Sequence, residues 1–204
     1  MAEILKKNDR EGLFPLGFEG MSNNTSGDPR EDYLHLNDVE PFPLTMKEGF
    51  FNKKDVLVSL RNVNTVFVFD RETERIKYIT TGMFVWQHDP DFIDGDTFSV
   101  YDNNKVVGTS RIILVSGKEN SMEVYYEGSE KEPFFSEFMG KNQWLPNGNL
   151  LVTESLEGRA FEINTKKEIV WEYLNFVGEG NIGLVSEAQR YPINYGDFYT
   201  NQPE

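Results

Sequence analysis

Apolar and polar positions along the chain fall into short extended runs bounded by turn-forming residues. From Asp32 the runs read "YLHLNDVE", "DVLVSLR", "NTVFVFD" and "RIKYITT". A second set reads "FVWQHDPDFI", "DTFSVYD", "SRIILVS" and "SMEVYYE", and a third "KNQWLPNG", "NLLVTES", "GRAFEIN" and "EIVWEYLN". Segments such as "TVFVFD" carry the period of two expected of strands. The clusters "DRETE", "SGKEN" and "NTKKE" between the last two runs of each set supply tight turns. The first 31 residues differ: "AEILKKNDREGLF" predicts a short helix and "MSNNTSGDPRED" a polar loop.

Four short antiparallel strands repeated at a period of about fifty residues predict β-propeller blades. The expected fold is therefore all-β, a partial propeller of about three blades over residues 32–82, 83–133 and 134–204, preceded by a connector over 1–31. A β-sandwich with similar hairpins is the alternative from pattern alone.

Composition narrows the chemistry. Aromatic residues make up 14% of the chain, including 16 Phe and 9 Tyr, which suits pleated surfaces. The net charge of −14 opposes phosphate backbones and anionic lipid, so neither nucleic acid nor a membrane surface is an expected partner. The absence of cysteine removes disulfides, thiolate metal sites and cysteine nucleophiles. No apolar run reaches bilayer-spanning length, and "MAEILKKNDREG" lacks the apolar core of a signal peptide.

The two histidines occupy like places in their sets: His35 opens "HLND" and His88 opens "HDPD", while Lys141 stands at the corresponding point of the third. First strands of propeller blades line the central axis, so both imidazoles are expected to face one channel. Two-residue periodicity sets His35 and Asn37 on one face. Arg61, at the end of "VSLR", is expected near the channel mouth. Two imidazoles, an amide and a guanidinium make a cradle for a tetrahedral oxyanion, because arginine offers a permanently charged fork. An imidazole with a pKa of about 6.5 is mostly neutral at pH 7 and available as nucleophile or base. Inter-blade hydrogen bonding explains the histidines and the asparagine equally simply, and a surface ion pair would explain Arg61.

The blocks "DYLHLNDVEP", "DVLVSLRNVNTVFVFDRET", "GMFVWQHDPDFID", "YDNN" followed by "SRII", "LPNGNLLVTESLEGRAFEI" and "EIVWEYLN" resemble the arylsulfotransferase family over about residues 32–191. This resemblance implies sulfuryl transfer from an aryl sulfate to a phenol, without a nucleotide sulfate donor, metal or other cofactor. It implies that His88 in "QHD" is the nucleophile that becomes a sulfohistidine, with Asp89 or Gln87 orienting the ring. His35 and Asn37 in "HLN" would bind the sulfuryl oxygens, and Arg61 in "SLRN" would balance their charge. "EAQRY" resembles a C-terminal block of the family, so Arg190 and Tyr191 either line the substrate mouth or pack a closing strand. Family members have about six blades and a further histidine in the earlier ones. The chain is thus expected to correspond to a C-terminal half that self-associates or aggregates through uncovered blade faces and shows little or no sulfuryl transfer on its own. The resemblance implies a periplasmic or secreted setting if a leader or anchor precedes Met1.

Other features point elsewhere or nowhere. "DPDFIDGD" gathers Asp89, Asp91, Asp94 and Asp96, but the spacing misses a calcium loop and a hairpin turn at Asp94–Gly95 accounts for it. Trp171 in "EIVWEYLN" resembles a quinoprotein propeller pattern, with packing between blades as its expected role. Ser136, Ser155 and Ser186 lack a serine–histidine–acid spacing. The rival readings are a non-catalytic binding propeller and a quinone- and calcium-dependent oxidoreductase.

Overall fold

The computed structural model describes residues 1–14 and 32–192, so the predicted polar loop lies outside the described residues apart from Asp32. The chain forms two compact units, Met1–Gly140 and Lys141–Glu204.

The first unit opens with helix α1 (Ala2–Lys7). Strands β1 (Leu36–Pro41), β2 (Asp55–Leu60), β3 (Thr65–Asp70) and β4 (Ile76–Thr81) form an antiparallel sheet in sequence order. A single 3-10 turn, Arg61–Val63, links β2 to β3. Strands β5 (His88–Phe92), β6 (Thr97–Asp102), β7 (Arg111–Ser116) and β8 (Ser121–Glu127) repeat the arrangement. Each sheet is a propeller blade, a four-stranded meander joined by tight turns.

The first blade is buried on both faces, which explains why every residue of β2 is inaccessible. Leu57, Val66, Val68 and Tyr78 point toward the second blade and meet Phe92, Phe98, Val100, Ile113 and Val115. Phe51 fills the seam, 5.3 Å from the ring of Phe92 and 5.9 Å from that of Phe98. The blades also touch through backbone: Phe51 N donates to Gly95 O (2.6 Å), and a Cβ on Gly95 would fall 2.4 Å from Gly49 N. Only glycine permits that approach.

Alternate residues Val56, Val58, Leu60 and Phe67 face the other way, where Leu5 and Leu13 cover them, with Met1, Ile4 and Phe14 at the margin. Asn8 fixes this cover to the β3–β4 turn: its amide donates to Glu74 O (2.8 Å) and accepts from Ile76 N (2.9 Å). The sequence expectation of an uncovered outer face on the first blade is therefore corrected. The apolar residues of the N-terminal segment take the place that a neighbouring blade would occupy.

The second unit contains β9 (Lys141–Trp144), β10 (Leu150–Glu154), β11 (Arg159–Ile163) and β12 (Ile169–Leu174), again antiparallel in sequence order. A small hairpin, β13 (Phe176–Gly178) and β14 (Asn181–Ile182), follows. Leu150, Val152, Ala160, Phe161 and Ile163 are buried, whereas Val170, Trp171 and Tyr173 of the outer strand are exposed. Trp171 lies under the Arg190 guanidinium, 5.5 Å from ring centroid to Cζ. Among the described residues no helix is long and apolar enough to cross a membrane.

The two-sided burial predicts that Leu5, fully inaccessible, contributes like a core residue although it lies near the chain start. Leu5→Ala is expected to lower stability by about 3 kcal/mol, read as a reduced urea midpoint. A midpoint equal to that of the parent would show that the helix does not hold the blade face.

Candidate active site

The segment entering the second blade departs from regular extended structure at two points. Trp86 (φ 61°) and Asp89 (φ 48°) both adopt left-handed backbone, uncommon for residues with side chains. The β5–β6 register runs from His88↔Tyr101 directly to Asp91↔Ser99, so Asp89 and Pro90 form a bulge. Between the two distorted residues, Gln87 and His88 point into different surroundings.

Gln87 turns into the first blade. Its fully buried Nε2 lies within hydrogen-bond reach of Ser59 Oγ (3.0 Å), Leu60 O (3.2 Å) and Thr65 O (3.1 Å), three acceptors that share its two N–H bonds, while Oε1 is buried with no partner. It therefore holds blade to blade and does not orient the neighbouring imidazole, one of the two roles expected from sequence. Trp86 N donates to Asn64 Oδ1 (3.1 Å), a second tie to the first blade.

The His88 ring is held at Nδ1, 2.9 Å from Trp86 O and 2.7 Å from Asn103 Oδ1. Asn103 directly follows β6, is fully buried, and donates through Nδ2 to Ser136 O (2.8 Å) and Met139 O (2.7 Å). The preceding Asp102 fixes this corner, accepting from Val85 N (2.8 Å), Asn104 N (3.2 Å) and Arg111 Nε (3.0 Å). Burial raises the Asp102 pKa, opposed by the Val85 amide and by Arg111.

Burial also lowers the pKa of His88, to about 4. The hydrogen bond to Asn103 counters this shift, while the charges of Arg61 and His35 reinforce it. A neutral ring is thus enforced across the neutral pH range.

Arg61 opens the 3-10 turn rather than ending β2. Its guanidinium lies 5.0 Å from the Trp86 ring centroid and donates to Asn62 Oδ1 through Nε (3.2 Å) and Nη2 (3.1 Å). Partial burial lowers its pKa. Its backbone amide donates to His35 O (3.0 Å), so the sequence candidates His35 and Arg61 are neighbours.

His35 itself precedes β1 in left-handed backbone (φ 49°), and the β1–β2 register shifts between Leu36 and Asp38. The two-residue alternation invoked for His35 and Asn37 does not operate across that irregularity. Instead His35 Nδ1 pairs with Asp32, and Asn37 Nδ2 donates to Gln87 O (2.8 Å). Asn37 thereby reaches the His88 segment through backbone.

Arg190 and Tyr191 belong to the second unit. The Arg190 guanidinium pairs with Glu162, while its main chain pairs with the Gln143 side chain, N to Oε1 2.7 Å and Nε2 to O 3.1 Å. Tyr191 bonds Gln189 through its hydroxyl. In the "DPDFIDGD" stretch, Asp94 Oδ1 accepts from Asp96 N (2.8 Å) at the β5–β6 turn, and Asp96 Oδ1 accepts from Phe50 N (2.7 Å).

Sequence reasoning passed over three groups around His88: Asn103, Trp86 and Lys105. Lys105 Nζ lies 4.0 Å from the Trp86 ring centroid and 2.6 Å from Glu137. The "YDNN" block contained the signal for Asn103, and "YDNNK" extends it to Lys105.

Three antiparallel four-stranded blades, with a partly buried histidine opening one of them, make this a β-propeller protein. The family model described as Arylsulfotransferase (ASST) matches residues 2–176, and the chain belongs to that family. Solved structures similar to it include the WD40 β-propeller domain of Doa1, with 12% identity, TM-score 0.47, and coverage of 68% of this chain and 40% of that one. Another is the β-propeller domain of the Trilobed protease from Pyrococcus furiosus, with 14% identity, TM-score 0.42, and coverage of 68% and 42%. The chain spans about two fifths of the length of these matched structures. No curated protein matches it.

The His88 environment sets a pH dependence of stability. An unfolded histidine titrates near about 6.5 and folded His88 near about 4. Between those values the unfolded state binds more protons, so stability falls as pH drops through that window. The penalty grows to roughly 3 kcal/mol at its lower end. His88→Gln, which cannot titrate, should lose less stability than the parent between pH 7 and 4.5, measured by urea unfolding at both. Equal losses would place His88 in solvent contact.

Proposed function

We propose that this protein carries a sulfuryl-transfer site in which His88 accepts the sulfuryl group of an aryl sulfate and passes it to a phenolic acceptor. The observation that carries the reading is a partly buried imidazole kept neutral, with Arg61 acting on it from the face of Trp86. Family membership supports the reaction class.

In the first half-reaction a lone pair of the imidazole attacks sulfur. A nitrogen–sulfur bond forms, the sulfur–oxygen bond to the aryl group breaks, and its electron pair leaves on the phenoxide. In the second, the acceptor oxygen attacks sulfur, the nitrogen–sulfur bond breaks and its pair returns to the ring. The proton lost by the acceptor phenol balances the one gained by the departing phenoxide. Neutrality of His88 matters because only the unprotonated nitrogen has a pair to donate.

Arg61 supplies charge to the sulfuryl oxygens, and the amide of Asn37 and imidazole of His35 supply further hydrogen-bond donors. Trp86 carries Arg61 against its ring and His88 on its carbonyl, so one residue sets the spacing between nucleophile and cation. Residues 190 and 191 are assigned to the closing edge of the third blade, in keeping with the Arg190–Gln143 pairing.

Incubation of the chain with a labelled aryl sulfate, followed by peptide mapping, should place the label on His88. His88→Ala should abolish transfer, and retention within about tenfold of the parent rate would sink the nucleophile assignment, since covalent catalysis needs its attacking atom. Arg61→Lys keeps the charge but not the planar fork, and should lose most of the activity. A lysine variant as fast as the parent would reduce Arg61 to a packing residue against Trp86. Chelators should leave the rate unchanged, and inhibition by them would require a metal in the reaction.

A further inference from the structure

Asn103 is the buried polar group closest to the proposed chemistry with no role in it so far. Resting on the reading of His88 as nucleophile, we infer that Asn103 is a positioning residue that locks the His88 tautomer, with the proton on Nδ1 and the reactive lone pair on Nε2.

The far end of the asparagine side chain is held by two main-chain carbonyls. Its Nδ2 lies 2.8 Å from Ser136 O and 2.7 Å from Met139 O. Both partners are carbonyl oxygens and can only accept, so both N–H bonds of the amide point at them. The amide cannot be turned over, because its oxygen would then face two carbonyl oxygens in a fully buried setting. With the amide fixed, Oδ1 is the atom presented to His88 Nδ1 at 2.7 Å. Trp86 O, at 2.9 Å, is likewise only an acceptor. Two acceptors on one ring nitrogen require that nitrogen to carry the hydrogen. In a neutral imidazole the other nitrogen, Nε2, then holds the lone pair.

This arrangement does more than select a tautomer. When Nε2 bonds to sulfur, Nδ1 keeps its hydrogen and the ring takes on positive charge. The hydrogen bonds from Nδ1 to Asn103 and Trp86 become charge-assisted at that moment and strengthen. They are weaker in the resting enzyme, so they favour the sulfurylated ring over the free one. The same two contacts are those that oppose the lowering of the His88 pKa. The charged and titratable groups coupled to the ring are Arg61 and His35.

The chain contains only two histidines, which makes the tautomer directly observable. Nitrogen-15 spectra of the histidine-labelled 204-residue chain at pH 7 report each ring nitrogen as protonated or not, and His35→Gln identifies the His88 signals. His88 should show a protonated Nδ1 and an unprotonated Nε2. A protonated Nε2 in the parent chain overturns the inference, whatever any variant does. Asn103→Ala removes one acceptor and should populate the other tautomer, with transfer from an aryl sulfate slowed about tenfold, the worth of one well-placed hydrogen bond. Asn103→Asp keeps an acceptor but sets its second oxygen against the Ser136 and Met139 carbonyls, so it should not recover the parent behaviour, and full recovery would show that the fixed amide is not what holds the ring. If Asn103→Ala folds with an unchanged tautomer, Trp86 suffices and Asn103 has no positioning role. The ring signals do not depend on turnover. A His88→Ala variant that still transferred sulfuryl would end the nucleophile reading while leaving the tautomer measurement intact.

Discussion

The carboxamide of Gln87 joins the two blades of the first unit at the point from which the site is built. Buried polar groups must find partners or cost several kcal/mol, and this one is surrounded by Ser59, Leu60 and Thr65 on the neighbouring blade. Seating its Nε2 among these acceptors dictates how the chain enters β5, even though Oε1 stays without a partner. Trp86 and Asp89 bend into left-handed backbone on either side, and His88 emerges next to Asn103 instead of following the pleat. An apolar residue at position 87 could pack the seam but would leave the backbone path unspecified. The polar clip trades some adhesion for a defined geometry, and the imidazole inherits that geometry.

The electrostatics follow from the same placement. Burial is the largest cause of the low pKa of His88, and Arg61 and His35 reinforce it. Protonating it would set a positive charge in a poorly solvated place near Arg61. Burial penalises charge of either sign, whereas Arg61 disfavours only a positive one. Asp32 is paired with His35 and Asp102 with Arg111, so these two acids are engaged with other cations. A net charge of −14 thus coexists with a cation, Arg61, that acts on His88.

Much of this was legible in the sequence, for identifiable reasons. The twelve predicted strand runs coincide with β1 to β12 because period-two patterning and turn chemistry act locally. The pairing of Arg61 with the histidine segments was reachable through motif resemblance. The backbone conformation of His35 was not, because it reflects the hydrogen bonds that Arg61 N and Asn62 N make to the Leu34–His35 turn. Asn103 was visible only as part of "YDNN". Its partners Ser136 and Met139 lie more than thirty positions away, in a stretch with no periodic signal. The cover of the first blade by Leu5 and Leu13 escaped notice because a short helix gives no sign of what it packs against.

The stretch from Phe134 to Gly140 contains no helix or strand, and such segments are usually where chains absorb insertions and deletions. Here two of its carbonyls grip one amide, and that amide grips the imidazole. The spacing between Ser136 and Met139 is therefore part of the site's dimensions. Lengthening it by one residue would move one of the two oxygens away from Asn103, and the disturbance would arrive at His88 with no change in any side chain around the ring. This irregular loop has little freedom to change its length.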